Sequence, residues 1–179
     1  AEEGFMAVVE GVPLVYHAQQ KPHFVVGGVD GVTLSPNSDR LYYAALTSRK
    51  LYSLPTALLA NFNVSDAELA AAVQYEGEKG TADGLATDKQ GHIYTTNFEH
   101  DCILRRNTDG TFELMVHDPR ILSPDGIFCT PTHVYCTLGQ WNRLASFNNG
   151  QDKRHPPYHL IRFPIEPVAA YNAEGGVNG

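Results

Sequence analysis

The feature that most constrains the fold is an Asp-Gly pair that opens an apolar stretch three times along the chain. The copies read "DGVTLSPNSDRLYY" from Asp30, "DGLATDKQGHIYTTN" from Asp83 and "DGIFCTPTHVY" from Asp125. In each copy a turn rich in Pro, Asn, Asp, Lys or Gly separates the apolar stretch from a second strand that contains tyrosine. A third strand follows, and turns such as "NTDG" and "NNG" allow positive φ at little cost. Repeated units of ~40–50 residues with about four strands each are typical of β-propeller blades.

The spacing of the copies indicates one insertion. The pairs start 53 and 42 residues apart, and the longer interval contains "SDAELAAAV". Ser65 is placed to cap the N-terminus of a short helix, and Glu68 three residues later completes a capping box. Because helical periodicity is otherwise nearly absent, the sequence predicts an all-β chain with one short surface helix between blades.

The repeat also predicts how the chain is divided. Three blades are expected over residues 30–165, at about 30–75, 76–118 and 119–165. Residues 1–29 are expected to form a partial blade or closing strands, and residues 166–179 a C-terminal tail. Three blades do not close a ring, because closed propellers have four or more. We therefore expect about three to four blades of a six-bladed ring, completed by a second chain or a missing fragment.

Composition disfavours several classes of function. The chain is 42% apolar and 18% charged, as expected for a folded globular protein. Its formal charge of -7 leaves no basic stripe for nucleic acid, and its apolar runs are too interrupted to span a membrane. Cys102, Cys129 and Cys136 are expected to be buried free thiols, although the last two could face each other across a hairpin. The start "AEEGF" is compatible with a secreted or periplasmic location.

The repeated aspartates are the main candidates for a site. Innermost strands surround the channel of a propeller, so Asp30, Asp83 and Asp125 are predicted to line one axis, with Asn97 as a further polar group. Converging carboxylates raise one another's pKa unless a cation offsets them, and oxygen ligands favour Ca²⁺ or Mg²⁺. Alternatively, each aspartate caps backbone N–H groups as in an Asx-turn. Recurrence in every unit favours this structural role, because a catalytic residue is rarely repeated.

Four longer segments carry a family resemblance. They are "GVDGVTLSPNSDRLYYAALTSRKLYSLPTALL", "KGTADGLATDKQGHIYTTNFEHDCI", "SPDGIFCTPTHVYCTLGQWNRL" and "PPYHLIRFPI". In this order, over roughly residues 24–165, they resemble the C-terminal half of the yellow and major royal jelly protein family. The resemblance implies a six-bladed propeller that binds or converts a small organic molecule in its channel, as aromatic-amine binders or dopachrome-converting isomerases do. A secreted structural or storage protein is the non-enzymatic alternative.

The same resemblance suggests ligand-binding positions. In the amine binders an asparagine lies near the end of the strand that follows the last Asp-Gly pair. Here that position falls at about Gly139, with Gln140 and Asn142 nearby. Trp141, the only tryptophan of the chain, is expected either to stack on a ligand or to cover the core.

A more distant resemblance concerns the stretch "DGLATDKQGHIY", which is similar to a blade strand of the gluconolactonase and senescence-marker superfamily. In those lactonases Glu, Asn and Asp side chains hold a divalent cation in the channel, and Asp83 matches the aspartate. This resemblance implies a metal-dependent hydrolase in which a cation such as Ca²⁺ polarises a lactone and activates water. Asp83 and Asp125 would be the catalytic carboxylates.

Overall fold

A computed structural model describes residues 6–17 and 21–165, which are mostly β-strands joined by turns. The first four strands form two short hairpins, β1 (Val8–Val9) with β2 (Val12–Pro13) and β3 (Val15–Tyr16) with β4 (His23–Phe24). Neither hairpin joins a larger sheet. The described part of the predicted partial blade at 1–29 therefore forms separate hairpins. The predicted tail at 166–179 lies outside the described residues.

Three antiparallel sheets follow along the chain, and each is a meander of consecutive strands. The first sheet contains β5 (Val29–Leu34), β6 (Arg40–Ala45), β7 (Lys50–Pro55) and β8 (Gln74–Glu78). The second contains β9 (Ala82–Thr87), β10 (Ile93–Asn97), β11 (Cys102–Arg106) and β12 (Phe112–His117). The third contains β13 (Pro124–Cys129), β14 (His133–Leu138) and β15 (His159–Pro164). Strand β8 crosses the predicted blade boundary at residue 75.

The first strands of the three sheets lie side by side. Strand β9 contacts β5 on one side and β13 on the other, whereas the later strands of each sheet lie progressively further out. The sheets therefore radiate from one hub as three blades. This arrangement confirms the predicted fold class, an all-β chain that forms part of a β-propeller.

The insertion between the third and fourth strands of the first blade contains helices α1 (Thr56–Leu59) and α2 (Asp66–Ala72). The hydroxyl of Ser65 accepts a hydrogen bond from the Glu68 backbone N–H at 3.3 Å, and the Ser65 N–H donates to Glu68 Oε2 at 2.8 Å. This is the predicted capping box. No helix within the described ranges is long and apolar enough to cross a membrane.

Two apolar clusters fill the junctions between blades, because alternate residues of a strand point to opposite faces of its sheet. One cluster joins the first and second blades, and it contains Ala44, Leu51, Leu85 and Ile93. The other joins the second and third blades, and it includes Tyr94, Ile103, Val134 and Cys136. Full burial of a large apolar side chain such as Leu51 contributes about 2–3 kcal/mol, so these junctions stabilise the hub.

The three cysteines are free, as predicted. Cys102 and Cys136 are buried and Cys129 is half-buried. Cys129 is paired in register with Val134, so it does not lie opposite Cys136. Burial raises the pKa of the Cys102 thiol to about 11 and those of the other two to about 12. All three thiols are therefore protonated near neutral pH and poorly nucleophilic.

Candidate functional site

Each Asp-Gly pair lies where the pairing of its innermost strand is irregular. The register shifts between Val29 and Gly31 in the first blade and between Pro124 and Ile127 in the third. In the second blade the shift lies opposite the Asp-Gly pair, between Thr95 and Asn97. Such bulges bend a strand and redirect side chains. The irregularity thus turns the aspartates towards the hub.

The glycines of the first two pairs allow neighbouring blades to approach closely. A Cβ added to Gly31 would lie 2.6 Å from the carbonyl oxygen of Asp83, and one added to Gly84 would lie 2.2 Å from that of Asp125. Both distances are far below a van der Waals contact, so only glycine fits. The recurring pair therefore has two separate tasks: its glycine seats the next blade and its aspartate faces the axis.

The three aspartates line one cavity of about 400 Å³. Trp141 forms part of the same wall. Asp83 comes from the middle blade and is half-buried, whereas Asp30 and Asp125 are exposed on either side of it. The predicted convergence of the repeated aspartates on one site is therefore present in the structure.

Burial and the nearby negative charges raise the pKa values of two of these carboxyl groups, those of Asp83 and Asp125. Burial raises the pKa of Asp83 to about 7, and the negative charges of Asp125 and Asp30 contribute in the same direction. A side-chain hydrogen bond between Asp83 and Asp30 adds to the shift, as expected when a protonated carboxyl donates to a carboxylate. The pKa of Asp125 is also raised, first by burial and then by Asp30. Asp83 therefore gains or loses its proton near neutral pH.

Other aspartates of the chain do accept hydrogen bonds from backbone N–H groups in turns. The Asp109 carboxylate accepts hydrogen bonds from the Thr111 backbone N–H and hydroxyl, which lower its pKa. Asp118 accepts from the Arg120 backbone and guanidinium, and its pKa is lowered as well. The shifts of Asp83 and Asp125 have the opposite sign. The Asx-turn role of the repeated aspartates therefore stays a prediction.

An aromatic cluster holds the tryptophan at the cavity wall. The Trp141 ring meets Phe147 edge to face at a centroid distance of 4.8 Å, and it meets Phe98 at 6.2 Å. The first hairpin packs on the same cluster through Val9 and Leu14. Trp141 therefore both covers an apolar cluster and lines the cavity, so the two roles considered from the sequence coexist.

Three predicted ligand-binding residues do not line this cavity. Asn97 is buried at the end of β10, next to Gly80, and its Oδ1 has no hydrogen-bond partner within the described residues. The Gln140 amide donates to the His155 carbonyl at 2.9 Å and accepts from the His155 N–H at 2.8 Å. Asn142 Nδ2 donates to Glu10 Oε2 at 2.9 Å. Gln140 and Asn142 thus anchor loops, and their roles as ligand contacts remain predictions.

Sequence reasoning missed four residues of the cavity. They are Leu46, Ser123, Leu144 and Arg154. Arg154 is held by Asp152 through an ion pair of 2.6 Å, which offsets its charge. Ser123 immediately precedes the last "PDG" segment, so its position could have been inferred from the repeat. The other three come from connecting loops that carry no periodic signal.

The cavity does not have the donor set of a divalent cation site. Among residues 6–17 and 21–165, no group of three or more His, Cys, Asp or Glu side chains is placed to hold a metal ion. Asp83 as a metal ligand stays a prediction from resemblance, and no step below depends on a metal.

Comparison with known proteins gives one family match. A family model described as "Major royal jelly protein" matches residues 16–125, which is more than half of the chain. No curated protein sequence matches significantly.

Solved structures with a similar fold include a gluconolactonase from Xanthomonas campestris, at 15% identity and a TM-score of 0.55, with 79% of this chain and 45% of that chain covered. They also include regucalcin, a calcium-binding protein from Agrobacterium tumefaciens, at 18% identity and a TM-score of 0.46, with 69% and 43% covered. A luciferin-regenerating enzyme is similar at 17% identity and a TM-score of 0.48, with 79% and 47% covered. The chain thus spans less than half the length of each, and identities this low indicate the fold alone.

Proposed function

The chain belongs to the major royal jelly protein family, and on that premise we propose that it binds a small organic cation in the cavity at the propeller axis. One observation carries the proposal. Carboxylates from three consecutive blades and the only tryptophan line a single cavity of about 400 Å³. This volume lies within the usual range for small-molecule sites.

The electrostatics of the cavity favour a positively charged ligand. The pKa of Asp83 is raised by the burial of its carboxyl and by the charges of Asp125 and Asp30. A protonated amine would supply the missing positive charge, and its N–H groups would donate charge-assisted hydrogen bonds to the carboxylates from several directions. An aromatic ring beside it adds a cation–π or stacking contact. An aromatic amine combines both features.

Titration with tyramine tests this proposal. Because Trp141 is the only tryptophan, its fluorescence reports directly on the cavity. We expect a saturable change with tyramine and a stronger affinity as the pH rises from about 6 to about 8, since Asp83 then loses the proton that competes with the ligand. Asp83→Asn and Asp125→Asn should each weaken binding about fivefold or more, which corresponds to about 1 kcal/mol.

Two matched controls accompany this titration. The compound 4-ethylphenol has the same ring without the amine, and it should bind much more weakly. Asp118→Asn removes a half-buried carboxylate that is not among the residues lining the cavity, and it should leave the affinity for tyramine unchanged. Equal affinities for the two compounds would contradict the proposal. So would an affinity for tyramine that is unchanged in both Asp83→Asn and Asp125→Asn.

The raised pKa of Asp83 also supports a second candidate, hydrolysis of a small lactone. A group that titrates near neutral pH is suited to general acid–base catalysis. The Asp83 carboxylate would take a proton from a water molecule as the water oxygen attacks the lactone carbonyl carbon. The protonated Asp83 would then give this proton to the ring oxygen as the C–O bond breaks, leaving a hydroxy acid. An isomerase would use the same group to move a proton within its substrate.

Hydrolysis of glucono-δ-lactone, followed by acid release at constant pH, tests the second candidate. We expect activity that rises with pH through about 7 and falls to the uncatalysed rate in Asp83→Asn, while Asp118→Asn stays active. Equal rates with and without protein would rule this candidate out and leave binding as the function. The storage alternative gives no role to the converging carboxylates. Secretion is inferred from family membership alone.

A further inference from the structure

The cavity at the propeller axis also has a basic side chain in its wall. Among the lining residues within the described part of the chain, Arg154 is the one arginine, lysine or histidine. It belongs to the connection between strands β14 and β15 of the third blade. The three aspartates come from innermost strands instead. The lining therefore has carboxyl groups at the hub and a guanidinium on a loop, so it can bind groups of opposite charge.

Backbone hydrogen bonds on both sides hold Arg154 in place. The Lys153 N–H donates to the Arg143 carbonyl at 2.9 Å. The His155 N–H donates to Gln140 Oε1 at 2.8 Å, and Gln140 Nε2 donates to the His155 carbonyl at 2.9 Å. Because Gln140 is itself buried, these bonds are shielded from water. They fix the segment that carries Arg154 against the third blade.

The neighbouring side chains indicate that Arg154 faces the axis. Lys153 and His155 both line a second cavity, of about 390 Å³, beside the β1–β2 hairpin. Arg154 lies between them in the chain and lines the axial cavity instead. Such alternation is typical of an extended segment, in which successive side chains point to opposite sides. The direction of the loop therefore turns the Arg154 side chain towards the hub.

A short turn sets the orientation of the guanidinium. Arg154 Nε donates to Asp152 Oδ1 at 3.0 Å, and Arg154 Nη2 donates to Asp152 Oδ2 at 2.6 Å. Arg120 makes the same pair of bonds with Asp118, at 2.8 and 2.6 Å, but its side chain is 88% exposed. The Arg154 side chain is 33% exposed. Asp152 and the nearby Tyr158 hydroxyl engage only part of its five N–H groups, so donors remain for a ligand.

We propose that the ligand of this cavity is an aromatic amino acid, whose carboxylate bonds to Arg154 while its ammonium group bonds to the hub aspartates. This inference rests on the proposed binding of an organic cation and names the class of ligand. A guanidinium binds a carboxylate through parallel charge-assisted hydrogen bonds. The ring would contact Trp141, Leu46 and Leu144 of the same lining. Arg154 is thus a specificity-determining residue that favours amino acids over the corresponding amines.

Calorimetric titration with L-phenylalanine and phenethylamine tests this assignment, because the two compounds differ only in the carboxylate. Near pH 8, above the pKa of Asp83, we expect L-phenylalanine to bind about tenfold more tightly. Arg154→Gln should weaken the binding of L-phenylalanine about tenfold and change that of phenethylamine by less than about twofold. Binding of phenethylamine by this variant also shows that the cavity is intact.

Arg120→Gln is the matched control, because it breaks the same kind of turn at a position outside the cavity lining. It should leave both affinities unchanged. If L-phenylalanine bound no better than phenethylamine, or if its preference survived Arg154→Gln, the role of Arg154 would be overturned while the binding of an organic cation would stand. Loss of phenethylamine binding in Arg154→Gln would also overturn a role in specificity. Failure of the unmodified protein to bind either compound would overturn both proposals.

Discussion

Replacing Gly84 by alanine is expected to lower the free energy of unfolding by about 3 kcal/mol. The added Cβ would lie 2.2 Å from the Asp125 carbonyl oxygen and 3.0 Å from Ile127 Cγ2. The carbonyl belongs to the backbone of a neighbouring innermost strand, so it cannot rotate away as a side chain would. The second and third blades must separate or one strand must shift. Thermal unfolding should show the midpoint falling by about 6–12 °C for a chain of this size.

Gly28→Ala is the matched control for this substitution. A Cβ at Gly28 would meet no heavy atom within 4 Å, so the change should be neutral. It should even stabilise slightly, by about 0.5 kcal/mol, because alanine has fewer unfolded conformations than glycine. If both variants unfolded at the same temperature, the close approach of the blades at Gly84 would be wrong.

The hub was predictable because its signal is local and repeated. Three Asp-Gly pairs at similar spacing predicted consecutive blades around one centre, and Asp30, Asp83 and Asp125 do line one cavity. The helix between blades was predictable for the same reason, since Ser65 and Glu68 form their capping box within a single turn. Features that depend on nearby residues in the chain, or on their regular recurrence, can thus be inferred without coordinates.

Contacts between distant parts of the chain could not be predicted in this way. Gln140 was expected at the ligand site, but both ends of its amide bond to the backbone of His155 in a loop that carries no recognisable motif. Asn142 likewise bonds to Glu10, at the opposite end of the chain. All three hydrogen bonds depend on how loops fold back over the hub. A polar side chain beside a predicted channel can therefore serve to anchor a loop.

The role of the recurring pair shows the same limit. Recurrence favoured a structural role for the aspartates, which stays a prediction, and the structure adds a structural role for two of the glycines. Gly31 and Gly84 are the residues that seat the next blade, while Asp83 faces its neighbours across the cavity with a raised pKa. The sequence shows that aspartate and glycine recur as a pair, but it does not show that the two residues have different roles. A structural requirement at glycine thus brings three carboxylates together at one axis.

Ionisation of Asp83 in the folded protein should lower the free energy of unfolding, and Asp83→Asn should remove this loss of stability. In the unfolded chain the Asp83 carboxyl has its ordinary pKa of 3.8, whereas in the folded state the pKa is about 7. Between these values the folded state binds more protons, so the free energy of unfolding falls as the pH rises, and the loss is complete above about 7. Asparagine cannot ionise, and its amide can still donate to Asp30. We expect the variant to be more stable than the unmodified protein by about 2 kcal/mol near pH 8, allowing for solvent screening at this half-buried site.

The pH dependence of stability distinguishes Asp83 from a carboxylate that is stabilised by a neighbouring cation. Near pH 4 the folded unmodified protein already has Asp83 protonated, so the advantage of Asp83→Asn should vanish in urea unfolding curves measured there. Asp118→Asn should behave in the opposite way, because the Arg120 guanidinium holds the pKa of Asp118 below its ordinary value. That variant should gain no stability at high pH. An advantage of Asp83→Asn that persisted unchanged at low pH would mean that the carboxylates do not repel one another. A saturating cationic ligand should abolish the advantage near pH 8, since it stabilises the charged site and binds the unmodified protein more tightly.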